Sequence, residues 1–132
     1  MNNNSTKEDE IKLLDIQIIA TVIYILSLFI SYIITYNDKY EILNNKPFLD
    51  KKISQNISVF NRVVVVVLTL TFLYINYKNI EIAKIKNKKD LTPFKLQITA
   101  SELSTVAAII VLYTVLTSGE YSVIAGAENP SL

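Results

Sequence analysis

Apolar residues are concentrated in three blocks along the chain, and polar and charged segments separate them. Residues 16–37, 63–77 and 103–119 contain no charged side chain over 22, 15 and 17 positions. A helix needs roughly 20 predominantly apolar residues to cross a bilayer. The first block is long enough by itself, and the other two are long enough when their flanking residues are included. The pattern predicts an all-α integral membrane protein with three transmembrane helices, at approximate spans 14–36, 57–77 and 96–118.

A bundle of buried helices in a soluble protein is the alternative to this interpretation. Buried helices in water usually keep one polar face, whereas residues 16–36 carry only scattered Ser, Thr and Gln. The valine run 63–67 has the composition of a strand, but a single segment in lipid satisfies its backbone hydrogen bonds only as a helix. Of the 132 residues, 51% are hydrophobic and two are glycine. This composition also favours a single transmembrane domain over residues 1–132.

Local sequence signals predict where the helices begin and end. A capping-box sequence at residues 5–8 places the start of helix one several turns before its span, and Asn37 and Asp38 are expected to end it. Pro47 suits the first turn of an amphipathic lead-in that lies along the membrane surface before helix two. Thr92, which a proline follows, is expected to begin helix three. Helices one and two are therefore predicted to extend beyond the bilayer.

The positions of the lysines predict the orientation of the chain. The segment before the first span and the loop 78–95 together carry eight lysines, whereas the connection between helices one and two carries four and the tail 119–132 carries none. Because lysine and arginine are retained in the cytoplasm, the amino terminus and the basic loop 78–95 are predicted to be cytoplasmic and the carboxyl terminus outside. The expected location is the cell membrane, which the protein crosses several times. The tail is expected to be loosely ordered.

The available side chains exclude most enzymatic chemistry. The chain contains no histidine and no cysteine, which removes the commonest general base, thiol nucleophiles and the usual zinc ligands. Two glycines cannot build a phosphate-binding loop. We therefore predict that the protein is not an enzyme and expect no catalytic, cofactor or metal site. The loop 78–95 has no aromatic residue between Tyr77 and Phe94 on which bases could stack, so no nucleic-acid partner is expected.

Glu102 is a carboxylate within an otherwise apolar segment near the start of helix three. Three alternatives are open: it is neutral, it borders a polar cavity or partner, or it is a boundary residue that reaches the lipid headgroups. Arg62 begins helix two at the predicted outer face, whereas Glu102 begins helix three at the inner face. Antiparallel helices keep these two apart, so we expect no pair between them and expect Arg62 to reach the outer interface.

Small residues at four-residue spacing are candidates for helix packing, because they let helix backbones approach closely in lipid. We expect a stripe on helix one to pack against a stripe on helix three. The stripes are Ser27, Ser31 and Thr35 with Ala100, Ser104 and Ala108. Basic residues are candidates for contact with lipid headgroups, although an ordinary cytoplasmic loop has the same composition. These candidates are Arg62, Lys84, Lys86, Lys88 and Lys89.

These features predict a small structural or accessory membrane protein that acts through helix contacts with itself or a larger membrane partner. The alternative is a small ion-conducting or lytic pore, in which Glu102 from several copies lines a polar path. In size and helix count the chain resembles phage holins, a resemblance that implies pore formation. Three-span holins usually have a basic cytoplasmic tail, whereas residues 119–132 are acidic and predicted outside.

Overall fold

The computed structural model describes residues 3–118, which form three helices and no strand. The helices are α1 (Asn3–Asn44), α2 (Lys51–Ile85) and α3 (Thr92–Ser118). All three are long and apolar enough to cross a membrane. The 42 residues of α1 and the 35 residues of α2 exceed the roughly 20 that a bilayer requires. The prediction of an all-helical chain with three helices of this kind is confirmed, while the predicted loose tail 119–132 lies outside the described residues.

α2 is the central helix of an antiparallel meander. It contacts both α1 and α3, whereas α1 and α3 do not contact each other within residues 3–118. Asn61 of α2 bonds with Ser27 of α1, while Ser54, two turns earlier on α2, bonds with Asn37, further along α1. Residue numbers thus fall along α2 as they rise along α1. We call the end that holds the α1–α2 connection the turn end, and the end that holds the α2–α3 connection the loop end.

Buried positions repeat every seven residues in each helix. They are Leu13, Ala20, Ser27 and Ile34 in α1, Ser54, Asn61, Leu68, Ile75 and Ile82 in α2, and Ala108 and Val115 in α3. A repeat of seven keeps the same sides of two helices facing each other, as in a coiled coil. α2 has a second buried set, Arg62, Ile80 and Ala83, on the side where Asn76 reaches α3. α2 therefore packs against its two neighbours with two different faces.

The end of α1 differs from the prediction made from the sequence. α1 continues to Asn44, so the prediction that Asn37 and Asp38 end it is wrong. Asn37 remains inside the helix because its side chain bonds across the turn end. Its Oδ1 accepts a hydrogen bond from the Leu49 backbone N–H at 2.6 Å, and its Nδ2 donates to Ser54 Oγ at 3.5 Å.

α2 begins at Lys51, after Pro47, and continues without a break to Ile85. The lead-in predicted before helix two is therefore the first part of α2 itself from Lys51 onward, and its position along a membrane surface stays a prediction. Its seven-residue repeat of buried positions begins at Ser54 and packs the segment against α1. The predicted extension of helices one and two beyond the length of a bilayer agrees with this continuous helix.

α2 ends in a Schellman motif. The Lys88 N–H donates to the Ala83 carbonyl at 3.0 Å, and the Asn87 N–H donates to the Lys84 carbonyl at 3.1 Å. Asn87 has a φ of 57°, the left-handed conformation that this motif requires and that asparagine tolerates better than most residues. The sequence therefore stops α2 sharply, without a glycine.

α3 begins at Thr92, as the sequence predicts, but Asp90 supplies the cap. Asp90 Oδ1 accepts a hydrogen bond from the Thr92 backbone N–H at 2.9 Å. This bond lowers the pKa of the Asp90 carboxyl below its ordinary value, because it stabilises the ionised form. The connection between α2 and α3 is thus short and is capped on both sides.

Candidate functional site

Buried polar side chains line the α1–α2 interface near the turn end. We call this set the polar seam; it comprises Ser27, Ser31, Asn37 and Asp38 of α1 with Ser54, Ser58 and Asn61 of α2. Toward the loop end the same interface is apolar. There Leu13, Ile75 and Ile82 form a core, and Phe72 packs against it. The interface is therefore polar in one half and apolar in the other.

Asn61 is the centre of the polar seam. Its Oδ1 accepts a hydrogen bond from Ser27 Oγ at 2.7 Å, and its Nδ2 donates to Ser31 Oγ at 2.9 Å and to the Ser27 carbonyl at 3.4 Å. The two serines are one helical turn apart, so both lie on the same face of α1 and reach one amide. A buried amide is costly unless its donor and acceptor groups are paired. The contacts of Asn61 therefore favour one register of α1 against α2.

Asp38 lies at the limit of the polar seam, near the turn end. It is 6% exposed, and within the described part of the chain its Oδ2 has no hydrogen-bond partner. An ionised carboxylate is costly where donors do not surround it. Asp38 is thus the residue of the polar seam that can carry a charge, and its surroundings disfavour the charged form.

Glu102 has a polar partner on α2. The Tyr77 hydroxyl donates to Glu102 Oε1 at 2.8 Å. One residue earlier on each helix, the Asn76 side chain donates to Ser101 Oγ, so the two pairs together join α2 to α3. Glu102 remains exposed on the surface of α3. It therefore contacts a polar neighbour without being enclosed.

Arg62 lies far from Glu102, as the antiparallel arrangement predicts. Tyr77, the partner of Glu102, follows Arg62 by 15 residues, which is about 22 Å along a helix. The predicted exposure of Arg62 at an outer interface is wrong, since this residue is 2% exposed. The cause is its spacing: Arg62 precedes Asn76 by two repeats of seven residues and therefore lies on the face of α2 that meets α3.

Polar contacts thus join α2 to both of its neighbours: the polar seam includes contacts with α1, and the Asn76–Ser101 and Tyr77–Glu102 pairs are contacts with α3. No protein-family model, curated protein or solved structure matches this chain. Within residues 3–118, no group of three or more acidic side chains is arranged to hold a metal ion. The function is therefore inferred from helix contacts and from the chemistry of the exposed surfaces.

The two small-residue stripes do not meet. The sequence predicted contact between Ser27, Ser31 and Thr35 of α1 and Ala100, Ser104 and Ala108 of α3. This pairing is contradicted, because α1 and α3 have no contact in the described part of the chain. Ser27, Ser31 and Ala108 are buried, whereas Thr35, Ala100 and Ser104 are exposed. The small serines on α1 accommodate the Asn61 side chain of α2, a role that their spacing alone does not reveal.

The candidate lysines at the loop end differ in their surroundings. Lys84, Lys88 and Lys89 are exposed, whereas Lys86 forms an ion pair with Glu10 of α1. This pair joins the end of α2 to the amino-terminal part of α1. Binding of lipid headgroups by the exposed lysines stays a prediction.

Reasoning from the sequence missed Asn61 and Asn76, the two asparagines of α2 that bond to its neighbours. A signal for Asn61 was present, because Ser54, Asn61 and Leu68 are seven residues apart and the repeat continues to Ile75 and Ile82. Asn76 and its contact with α3 had no comparable signal. That contact depends on the register between α2 and α3, which the chain sets through the length of the capped connection between them.

Proposed function

We propose that this protein is a small multi-pass protein of the cell membrane, of structural or accessory type, that acts through helix contacts with a second copy or a larger membrane partner. The distribution of polar groups carries the proposal. Polar side chains are paired inside the α1–α2 interface, whereas large apolar side chains such as Ile18, Phe29 and Leu103 are exposed. In lipid, this distribution removes polar groups from hydrocarbon and presents apolar surface to acyl chains or partner helices.

The proposed orientation places the loop end in the cytoplasm and the turn end outside. Its support is the excess of lysine at the amino terminus and in the loop 78–95. The Lys86–Glu10 ion pair fits a cytoplasmic loop end, because it lies on the surface of the helix pair where water is available. The carboxyl terminus is proposed to be outside.

In this orientation Glu102 is proposed to be a boundary residue at the inner interface. Its partner Tyr77 is followed on α2 by Lys78, and tyrosine and lysine are both common at the membrane–water interface. The hydrogen bond between Tyr77 and Glu102 supports the same level for the carboxylate. A glutamate there reaches water with little cost, unlike one at the bilayer centre.

A small ion-conducting or holin-like pore is the second candidate. One observation favours it: Glu102 is exposed on α3, so several copies with this face directed inward would present a ring of carboxylates. The α1–α2 interface disfavours conduction by a single chain, because it is apolar around Leu13, Ile75 and Ile82. Conduction would therefore require an assembly.

Membrane insertion and orientation are tested with reporters. A reporter fused after Leu132 should respond as extracytoplasmic, and one inserted after Lys88 as cytoplasmic. The opposite result for both reporters would refute the orientation.

Cross-linking tests the accessory role. The chain has no cysteine, so an introduced cysteine is the one thiol of each chain that can react. Single cysteines that replace the exposed Phe29 or Leu103 should give a discrete larger product in native membranes, whereas a cysteine that replaces the buried Ala20 should not. In parallel, cation flux is measured in liposomes with wild-type protein and Glu102→Gln. Flux that the wild type supports and Glu102→Gln abolishes, without a discrete cross-linked product, would favour the pore.

A further inference from the structure

Arg62 is a buried cation on the face of α2 that meets α3. It is 2% exposed, and its Nε and Nη2 atoms are out of contact with solvent. A guanidinium group stays protonated in proteins and has five N–H donors in one plane. A buried charge is costly unless an opposite charge and hydrogen bonds compensate it. The position of Arg62 therefore favours contact with an anion.

The contacts of Asn76 fix the level of Arg62 along α3. The Asn76 side chain donates to the Gln97 carbonyl at 3.3 Å and to Ser101 Oγ, so Asn76 is level with this turn of α3. Arg62 precedes Asn76 by 14 residues, and Val115 follows Ser101 by 14 residues. Because the two helices are antiparallel, Arg62 is level with Val115. The burial of Val115, which is 1% exposed, agrees with this register.

The side chain of Arg62 is directed toward the end of α3. Side chains on a helix lean toward its amino terminus, and the amino-terminal part of α2 lies at the turn end. α3 ends at Ser118, three residues after Val115. The charged group of Arg62, at the end of a long side chain, is therefore directed at the last turn of α3.

The acidic residues of α2 and α3 lie far from Arg62. Each of these helices contains one, Glu81 and Glu102, and both are toward the loop end. Asp38 of α1 lies in the polar seam near the level of Ser54, which precedes Arg62 by eight residues, about 12 Å along α2. Asp38 is also at the face of α2 that meets α1, whereas Arg62 is at the face that meets α3.

An acidic residue follows α3 directly in the sequence. Glu120 comes two residues after Ser118, the last residue of α3. Two residues span at most about 7 Å, so the sequence keeps Glu120 near the end of α3, toward which Arg62 is directed. Gly119 lies between them, and a glycine directly after a helix allows the chain to turn back.

We propose that the buried guanidinium group of Arg62 binds the carboxylate of Glu120 of the same chain. The planar N–H groups of arginine match the two oxygens of a carboxylate, and the two opposite charges compensate each other. The residue pair fastens the end of α3 to α2 near the turn end, as Asn76 and Ser101 join the two helices nearer the loop end. This contact requires neither the proposed orientation nor a partner protein.

Reversible unfolding of the full chain in mixed micelles tests the ion pair. Glu120→Gln leaves Arg62 as an uncompensated buried charge, so the equilibrium constant for unfolding should rise at least about tenfold. Glu128→Gln removes the same group elsewhere in the tail 119–132 and should change this constant by no more than about twofold. Arg62→Gln added to Glu120→Gln should restore part of the lost stability, because the double variant no longer buries a charge.

A covalent test identifies the contact without relying on stability. Arg62→Lys keeps the positive charge, and a membrane-permeant carbodiimide joins a lysine amine to a contacting carboxylate through an amide bond. Peptide mass spectrometry should find position 62 joined to Glu120 within one chain. Glu120→Gln should abolish this product, whereas Glu128→Gln should keep it.

Three results would overturn the proposal. Equal stability of Glu120→Gln and Glu128→Gln would mean that other acceptors, such as the last carbonyl groups of α3, bind Arg62. Additive effects of Arg62→Gln and Glu120→Gln would mean that the two side chains do not interact. A carbodiimide product at another carboxylate, or between copies in a mixture of isotope-labelled and unlabelled protein, without a product at Glu120, would assign Arg62 a different partner.

Discussion

Replacement of Asn61 by alanine should weaken the α1–α2 interface by removing the centre of the polar seam. The amide makes two short hydrogen bonds, at 2.7 Å with Ser27 and at 2.9 Å with Ser31, and a longer one of 3.4 Å. Hydrogen bonds between transmembrane helices contribute about 0.6 kcal/mol on average and at most about 1.7. The serine hydroxyls left behind can bond to carbonyls one turn back on α1. We therefore expect a loss of about 1–2 kcal/mol in the free energy of unfolding.

The assay is reversible unfolding in mixed micelles as the fraction of denaturing detergent is raised. Asn56→Ala is the matched control, because Asn56 is the same residue type on the same helix but is exposed. A double-mutant cycle with Ser31→Ala isolates the bond between the two side chains. The coupling energy should be about 0.6 kcal/mol or more.

Two results would refute this reasoning. The first is an Asn61→Ala protein as stable as Asn56→Ala, which would mean that the buried amide contributes nothing to the interface. The second is a coupling energy of zero with Ser31→Ala. In that case the bond with Ser31 contributes nothing, and the loss in the single variant would come from the contacts with Ser27 or from the cavity left by truncation.

Three further predictions concern α3. Glu102→Gln should leave complex size on native gels and ion flux in liposomes nearly unchanged, because the amide oxygen can still accept the Tyr77 hydroxyl; loss of either property would make Glu102 functional. Ser104→Leu should leave stability in detergent unchanged because this residue is exposed, whereas Ala108→Leu, at 3% exposed, should cost about 1–3 kcal/mol through overpacking; equal melting of the two variants would contradict the α2–α3 contact. The pKa of Asp90 is lowered in the folded chain, so its cap contributes stability above pH 3.8, the ordinary pKa, and this stability is lost as pH falls through the lower folded pKa. Over that range the protection of the amides in the first turn of α3, relative to their intrinsic exchange rate at each pH, should fall in the wild type; an equal fall in Asp90→Ala would contradict the cap.

The number and position of the helices could be predicted from the sequence because lipid imposes a simple rule. A segment without charge for 15 or more residues has few structures available in a bilayer, and the blocks at 16–37 and 63–77 fall inside α1 and α2. The start of α3 was also predictable, since threonine followed by proline is a strong signal. Charge-free length and a local motif suffice for these features, because neither depends on where other helices lie.

Contacts between helices could not be predicted in the same way. In water, an apolar stripe on a polar helix shows which side faces the core, but α1 is apolar on nearly every side of its charge-free block. Small and polar residues then indicate which side of a helix contacts another helix, but they do not indicate which helix that is. Ser27 and Ser31 were assigned to α3 because their spacing suits close backbone approach, whereas they receive Asn61 from α2.

The failed prediction for the end of α1 has the same origin. Asn37 and Asp38 weaken a helix when they are judged alone, because their side chains compete for backbone hydrogen bonds. In the folded chain Asn37 bonds to Leu49 and Ser54 instead, so it strengthens the turn end. The partners lie 12 and 17 residues away, beyond the reach of any local signal.

Two separate faces of α2 hold its neighbours, and this separation has a functional consequence. The face with Asn61 bonds to α1, and the face with Asn76 bonds to α3; no hydrogen bond described for these two residues is shared between the faces. Because interactions without common partners act nearly independently, a partner that displaces α3 need not disturb the α1–α2 hairpin. For a protein proposed to act through helix contacts, this arrangement would let a partner act at one face of α2 while the hydrogen bonds at the other face keep that pair of helices in register.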